Sequence, residues 1–111
     1  MRKMIVAGGQ LGPITRDESK KSAVARMVAL MKEAASRGAQ LIVFPELALT
    51  TFFPRWWVGN KADFDHMFEK DMPNKDVLPL FETSKKLNIA FHLGYAELTP
   101  DGHHYNTAII V

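Results

Sequence analysis

The sequence predicts an α/β fold, because short apolar runs typical of strands alternate along the chain with amphipathic segments typical of helices. The apolar runs are bounded by Gly or Pro, and the helical segments repeat apolar residues every three or four positions. The predicted order is strand, helix, strand, loop with a short helix, helix, strand, strand. We expect about four strands, with two long helices on one face of the sheet and one short helix, since parallel crossovers are right-handed.

The first half of the chain predicts a strand, a helix and a second strand. Residues 3–8 form an apolar run that stops at Gly8-Gly9. Residues 19–37 predict a helix with one apolar stripe, formed by Val24, Met27, Val28, Met31 and Ala35. Gly38 stands where a helix commonly ends. Residues 40–44 contain three consecutive aliphatic residues, and such a run predicts a strand that is buried on both faces, as in a parallel sheet.

The middle of the chain predicts a loop and two helices. Residues 50–60 form an aromatic loop that contains Pro54, and residues 62–70 predict a short helix. Residues 76–86 predict the second long helix, with Pro79 in the first turn, where a missing N–H is tolerated. Its expected apolar face consists of Val77, Leu80, Phe81, Ser84 and Leu87.

The end of the chain predicts a hairpin. Residues 89–98 and 103–111 are both strand-like, and Thr99-Pro100-Asp101-Gly102 between them is a turn signal. We therefore expect the last two strands to pair antiparallel. The two long helices cover one face of the sheet only, so the opposite face should be apolar and exposed in the chain by itself.

Composition limits the function classes. A chain of 111 residues with 47% hydrophobic and 23% charged residues is expected to form at most one ordered domain. The formal net charge of +2 and scattered basic residues favour neither nucleic acid nor membrane as a partner. No apolar run approaches the roughly 18 residues of a membrane helix, and the N-terminal run is too short for a signal peptide, so the cytoplasm is the expected location.

Metal and thiol chemistry are not indicated. The chain has no cysteine, which excludes disulfides, thiolate metal sites and a cysteine nucleophile within these residues. His103 and His104 are adjacent in a predicted strand, where neighbouring side chains point to opposite faces and do not chelate together. No cofactor and no metal are expected.

Glu46 is the leading candidate for a chemical role. It follows an apolar strand and Pro45, and no other charged residue occurs until Arg55. In open α/β sheets, ligands bind outside the carboxyl ends of the strands, which is where Glu46 belongs. A carboxylate walled by aromatic rings can act as a general base. The alternative is that Glu46 caps a turn or pairs with a basic residue such as Arg55.

Several segments resemble the carbon–nitrogen hydrolase (nitrilase) superfamily. Phe44-Pro45-Glu46-Leu47 resembles the glutamate motif of that superfamily. The opening strand followed by Gln10 also resembles it, and further similar segments are Ala34-Ala35-Ser36-Arg37-Gly38-Ala39, Phe81-Glu82-Thr83, Leu93-Gly94-Tyr95-Ala96-Glu97 and Tyr105-Asn106-Thr107-Ala108. The longer stretch over residues 44–56 is similar to one branch, the N-carbamoyl-D-amino acid hydrolases.

The resemblance implies part of an α-β-β-α sandwich that forms homo-oligomers. It also implies a Glu–Lys–Cys triad, in which Glu46 corresponds to the general base. The lysine and the cysteine of the family have no counterpart here, so we expect residues 1–111 to be the N-terminal part of a single hydrolase domain and to be inactive alone. The complete enzyme would hydrolyse non-peptide C–N bonds, converting an N-carbamoyl-D-amino acid to the D-amino acid, carbon dioxide and ammonia.

Two further residues are candidates for the substrate pocket. Phe53 lies in the aromatic loop, where it would line the pocket or pack into the core. Asn106, in the last strand, would orient the site or make an ordinary strand hydrogen bond. Alternatives to the carbamoylase activity are an amidase, a nitrilase, an N-carbamoyl-β-alanine hydrolase, or a non-enzymatic α/β interaction module.

Overall fold

The computed structural model describes residues 1–56 and 59–111. The strands among these residues form a single four-stranded sheet. The strands lie side by side in chain order: β1 (Val6–Gly8), β2 (Leu41–Val43), β3 (Ala90–Leu98) and β4 (His104–Ile110). β1, β2 and β3 are parallel, and β4 is antiparallel to β3. The α/β class and the final hairpin are therefore confirmed.

Helix α1 (Lys20–Ser36) matches its prediction closely. The Ser19 side chain accepts a hydrogen bond from the Ser22 N–H at 3.1 Å and so satisfies one of the unpaired donors of the first turn. At the other end, Gly38 has a φ of +84° and donates to the Ala35 carbonyl at 3.0 Å. A left-handed glycine just past the last turn is the usual helix stop, so the predicted end at Gly38 is confirmed.

Helix α2 (Leu78–Leu87) begins with Pro79 in its first turn, as predicted, and ends where Asn88 adopts a φ of +52°. Leu87 was expected on the apolar face but is 36% exposed, because the helix ends at this residue and the chain turns away. The short helix predicted at residues 62–70 is instead a 3₁₀ helix, Lys61–Met67, and a second 3₁₀ turn spans Phe53–Arg55.

The main core lies between the two long helices and one face of the sheet. Its fully buried side chains come from α1 (Val24, Met27, Met31), from the start of α2 (Val77, Leu80) and from the sheet (Ile42, Phe91, Leu93). Burial of each such side chain stabilises the fold by about 1.5–3 kcal/mol. This core fixes the sheet, and the sheet in turn positions the loops at its carboxyl edge.

The opposite face of the sheet is covered only in part. β2 was predicted to be buried on both faces, and this is wrong: Ile42 is 1% exposed, but Val43, on the other face, is 38% exposed. Val43 and Ile110 flank His92 in register, and Ile110 is 70% exposed. The predicted open apolar face is therefore present here, because no helix of the described chain crosses it. β1 also begins later than predicted, at Val6, and Ile5 is 55% exposed.

Candidate active site

Glu46 lies in the loop that follows β2, and this loop crosses over β3 at Gly94. The Ala48 N–H donates to the Gly94 carbonyl at 3.1 Å, which ties the loop to the sheet. A Cβ placed on Gly94 would lie 3.5 Å from the Glu46 Cα and 3.5 Å from the Leu47 nitrogen. Gly94 thus leaves just enough room for the loop backbone to lie on the strand.

Leu47 adopts a backbone conformation that is rare for its residue type. Its φ is +50°, in the left-handed region, although it is not a glycine. Its side chain is 6% exposed and packs with Phe53, Met67 and Ala96 in a small second apolar cluster. This packing holds the residue in place, and backbone strain of this kind is concentrated at functional sites.

The Glu46 carboxylate is held by Asn106. The Asn106 Nδ2 donates to Glu46 Oε1 at 2.6 Å, a contact between residues 60 positions apart in the sequence. Asn106 pairs with Ala96 in the β3–β4 hairpin, so its side chain lies on the face opposite the helices. A hydrogen bond to an ionised carboxylate is shorter and stronger than a neutral one. The alternative pairing of Glu46 with Arg55 is not seen; Arg55 lies over the Trp56 ring at 4.9 Å.

Glu46, Asn106 and Phe53 line one cavity of about 310 Å³. Among the described residues, its lining consists of Glu46, Leu47, Phe52, Phe53, Pro54, Phe68, Ala96, His104, Tyr105 and Asn106. The lining is mostly apolar with a few polar groups, as expected for a small-molecule site. A larger groove of about 520 Å³ lies between the C-terminal halves of α1 and α2, on the outer side of the helices and away from Glu46.

Phe53 is a buried aromatic residue at the wall of the cavity. It is 8% exposed, and its ring centroid lies 5.8 Å from that of Phe64 and 5.3 Å from that of Phe68. The residue therefore packs in the second apolar cluster and at the same time forms part of the cavity wall. Trp57, which belongs to the predicted aromatic loop, lies outside the described residues.

Several wall residues were not predicted from the sequence, among them His104 and Phe68. The His104 ring lies edge-on to Phe68, with centroids 4.6 Å apart, and its Nε2 lies 2.8 Å from Asp65 Oδ1. His104 had a detectable signal, because it stands two positions before Asn106 in the same strand and hence on the same face. Phe68 had none, since only the tertiary fold brings residues 61–68 to the hairpin.

The described residues form neither a metal-binding cluster nor a membrane-spanning helix. Within residues 1–56 and 59–111, no group of three or more His, Asp and Glu side chains is arranged to hold a metal ion. His103 pairs with Asp101 at the hairpin turn, whereas His104 pairs with Asp65. None of the described helices combines the length and apolarity needed to cross a membrane.

Comparison with protein families matches residues 5–111 to the carbon–nitrogen hydrolase family. The chain belongs to the carbon–nitrogen hydrolase family. The superfamily expected from the glutamate motif is therefore confirmed, and the four-stranded α/β structure is consistent with part of the fold of this family.

Solved structures with a similar fold include two glutamine-dependent NAD⁺ synthetases. The enzyme from Acinetobacter baumannii is 23% identical, with a TM-score of 0.64, over 100% of this chain and 19% of that protein. The enzyme from Cytophaga hutchinsonii is 16% identical, with a TM-score of 0.65, over 99% of this chain and 17% of that protein. At these identities the likeness extends to the fold, and this chain spans less than a fifth of the length of either protein.

Proposed function

We propose that Glu46 is the general base of a carbon–nitrogen hydrolase that cleaves the carbamoyl group from N-carbamoyl-D-amino acids. The observation that best supports this role is the placement of a lone, exposed carboxylate at the carboxyl end of parallel strand β2, where it lines an open, mostly apolar cavity and is held by an amide donor. The match of residues 5–111 to the family supports the reaction class.

The proposed chemistry assigns one step to this chain. Glu46 accepts the proton of the attacking nucleophile, so that the nucleophile reaches the carbamoyl carbon in its more reactive, deprotonated form. The family resemblance assigns the nucleophile to a cysteine and the stabilisation of the oxyanion to a lysine. No cysteine occurs in these 111 residues, so the chain alone is proposed to be inactive. The overall reaction consumes one water and releases the D-amino acid, carbon dioxide and ammonia.

The D-amino acid branch is supported by the stretch over residues 44–56 and by the aromatic walls of the cavity. Phe52, Phe53 and Phe68 provide the apolar surface that an aromatic or aliphatic amino acid side chain would contact. The proposal includes a small-molecule substrate, no cofactor, a homo-oligomeric complete enzyme and a cytoplasmic location. The alternatives within the superfamily are an amidase, a nitrilase and an N-carbamoyl-β-alanine hydrolase.

A substrate panel tests this proposal. Ammonia release is measured for the complete gene product that contains this chain, with N-carbamoyl-D-phenylalanine, its L-enantiomer, N-carbamoyl-β-alanine and free glutamine. Glutamine is included because both structurally similar proteins are described as glutamine-dependent. The proposal predicts the highest kcat/KM for the D-enantiomer. A preference for another member of the panel would replace the substrate assignment, and no release from any of them would favour a nitrilase, an amidase with another substrate, or the non-enzymatic module.

A further inference from the structure

We infer that Asn106 is a positioning residue that holds the Glu46 carboxylate in its reactive orientation. The inference rests on the proposed role of Glu46 as general base. The Asn106 Nδ2 donates to Glu46 Oε1 at 2.6 Å, and this bond leaves Oε2 as the oxygen that takes up the proton. A proton acceptor must be held within hydrogen-bonding reach of its partner, so the orientation of this carboxylate matters.

The carboxylate is held from two neighbouring strands. The backbone of Glu46 lies against Gly94 of β3, and nearby the Ala48 N–H donates to the Gly94 carbonyl at 3.1 Å. Its side chain is bound by Asn106 of β4. The β3–β4 pairing is continuous from His92↔Ile110 to Leu98↔His104, so both supports belong to one rigid hairpin. Groups built on strands hold a reactive geometry more accurately than groups built on loops.

The Asn106 side chain contributes little to the stability of the fold besides this contact. Asn106 is exposed, so it fills no core space, and its backbone pairs with Ala96 in the ladder whatever its side chain is. Replacement of Asn106 should therefore leave the fold intact and change the reaction. This separates a positioning role from an ordinary strand hydrogen bond.

Thr107→Val provides the matched control. Thr107 is the next residue of β4, and its hydroxyl donates to Glu97 Oε2 on the other face of the same hairpin. The two substitutions Asn106→Leu and Thr107→Val each remove one side-chain hydrogen bond between β4 and a carboxylate. Only the first of these bonds reaches Glu46.

The experiment measures kcat and KM of the complete enzyme for the preferred substrate of the panel. Asn106→Leu should lower kcat on the order of 10²-fold with little change in KM, as expected for a misplaced reacting group. Thr107→Val should leave kcat unchanged. In a Glu46→Gln background, Asn106→Leu should cause no further loss, because the group that it positions has already been removed. Asn106→Ser is a second variant, included in case the leucine variant does not fold. Serine is too short to reach Glu46, so this variant should show the same loss of kcat.

The outcomes separate this inference from the proposed function. If Glu46→Gln is inactive but Asn106→Leu and Asn106→Ser keep the wild-type kcat, the positioning role is overturned and the general base stands. An equal loss in Thr107→Val, or a further loss of similar size in the Glu46→Gln background, also overturns it. Full activity of Glu46→Gln overturns the proposed function itself, whatever the Asn106 variants show.

Discussion

At the scale of single residues, the position of Glu46 depends on the absence of a side chain larger than a methyl group at Gly94. The loop backbone passes over this glycine at a distance that leaves room for one methyl group and no more, since a Cβ there would already be in van der Waals contact with Glu46 and Leu47. Leu47, with its φ of +50°, has little freedom to move aside. Gly94 therefore supports the loop backbone that carries the candidate base.

Substitutions at Gly94 should show this dependence. Gly94→Val adds two carbon atoms beyond the Cβ and places them against the loop. We therefore expect Glu46 to shift and kcat/KM to fall on the order of 10²-fold. Gly94→Ala should have a much smaller effect, because its Cβ makes only ordinary contacts. Gly8→Ala is the matched control, since no heavy atom lies within 4 Å of a Cβ at Gly8. Wild-type kcat/KM in Gly94→Val would show that the loop does not rest on this strand.

Part of the site was predictable from the sequence at this scale. Glu46 stood out because a lone carboxylate at the end of an apolar strand has an unusual environment. For Asn106 the sequence left two roles open, orienting the site or making an ordinary strand hydrogen bond. Nothing in the sequence specifies its pairing with Glu46, which lies 60 residues away. The support from Gly94 and the wall formed by Phe68 were not predicted, because both arise from the way distant segments fold over the hairpin.

At the scale of secondary-structure elements, the start of α1 is held to the preceding loop by an ion pair. Arg26 Nη1 lies 2.9 Å from Glu18 Oε1 and also donates to the Pro13 carbonyl at 3.2 Å. The Ser22 hydroxyl donates to the same carboxylate at 3.1 Å. The hydrogen bond from Arg26 is the main reason why the pKa of Glu18 is lowered from its ordinary value of 4.5.

The lowered pKa predicts a specific pH dependence of stability. A carboxyl group whose pKa is lower in the folded state stabilises the fold above its unfolded pKa, and this contribution is lost as the pH falls through the folded pKa. The free energy of unfolding of Glu18→Gln should thus be lower than that of the wild type at pH 7, and the difference should shrink below about pH 4.5. Urea denaturation at several pH values measures this, with Glu82→Gln as the control, since Glu82 is exposed on α2. A difference independent of pH would exclude the ion pair as its cause.

The elements themselves were predicted unevenly. Helix α1 was predicted closely because its signals are local: a regular apolar stripe and a glycine stop. Residues 62–70 were predicted as an ordinary short helix, whereas the structure has a 3₁₀ helix, Lys61–Met67, because spacing alone does not distinguish the two in a segment this short. The predicted burial of both faces of β2 was wrong. The burial of a strand depends on which segments cover its two faces, and that is a property of the whole fold.

At the scale of the whole molecule, one face of the sheet is both apolar and open. Val43 and Ile110 lie on either side of His92 on this face, and Val6 on the edge strand is 53% exposed. Contiguous exposed apolar surface promotes association, as do unpaired strand edges. The 111-residue chain by itself should therefore be marginally stable and should self-associate.

Sedimentation velocity tests this association. The chain alone should sediment as a mixture of oligomers, and Ile110→Lys should shift it towards the monomer by placing a charge on the open face. Leu78→Lys is the matched control, because Leu78 is also exposed, at 41%, but lies on α2 on the other side of the sheet. A monomer with a sharp, cooperative unfolding transition would contradict this account of the open face.

The α/β class, the strand count and the family were all predictable, because they depend on alternating patterns and on the motif around Glu46. The substrate depends on the cavity as a whole, and pattern alone does not determine it. Within this fold, we propose that Glu46 supplies the base for C–N bond hydrolysis.

The most direct test is the kcat/KM of Glu46→Gln in the complete enzyme, compared with the wild type and with Glu82→Gln. The glutamine side chain keeps the shape of the carboxylate but does not accept a proton, so we predict a loss of about 10²–10⁴-fold with unchanged thermal unfolding. Glu82→Gln should stay within about twofold of the wild type, as expected for an exposed site. A Glu46→Gln enzyme with the wild-type kcat/KM would contradict the assignment of Glu46 as the general base.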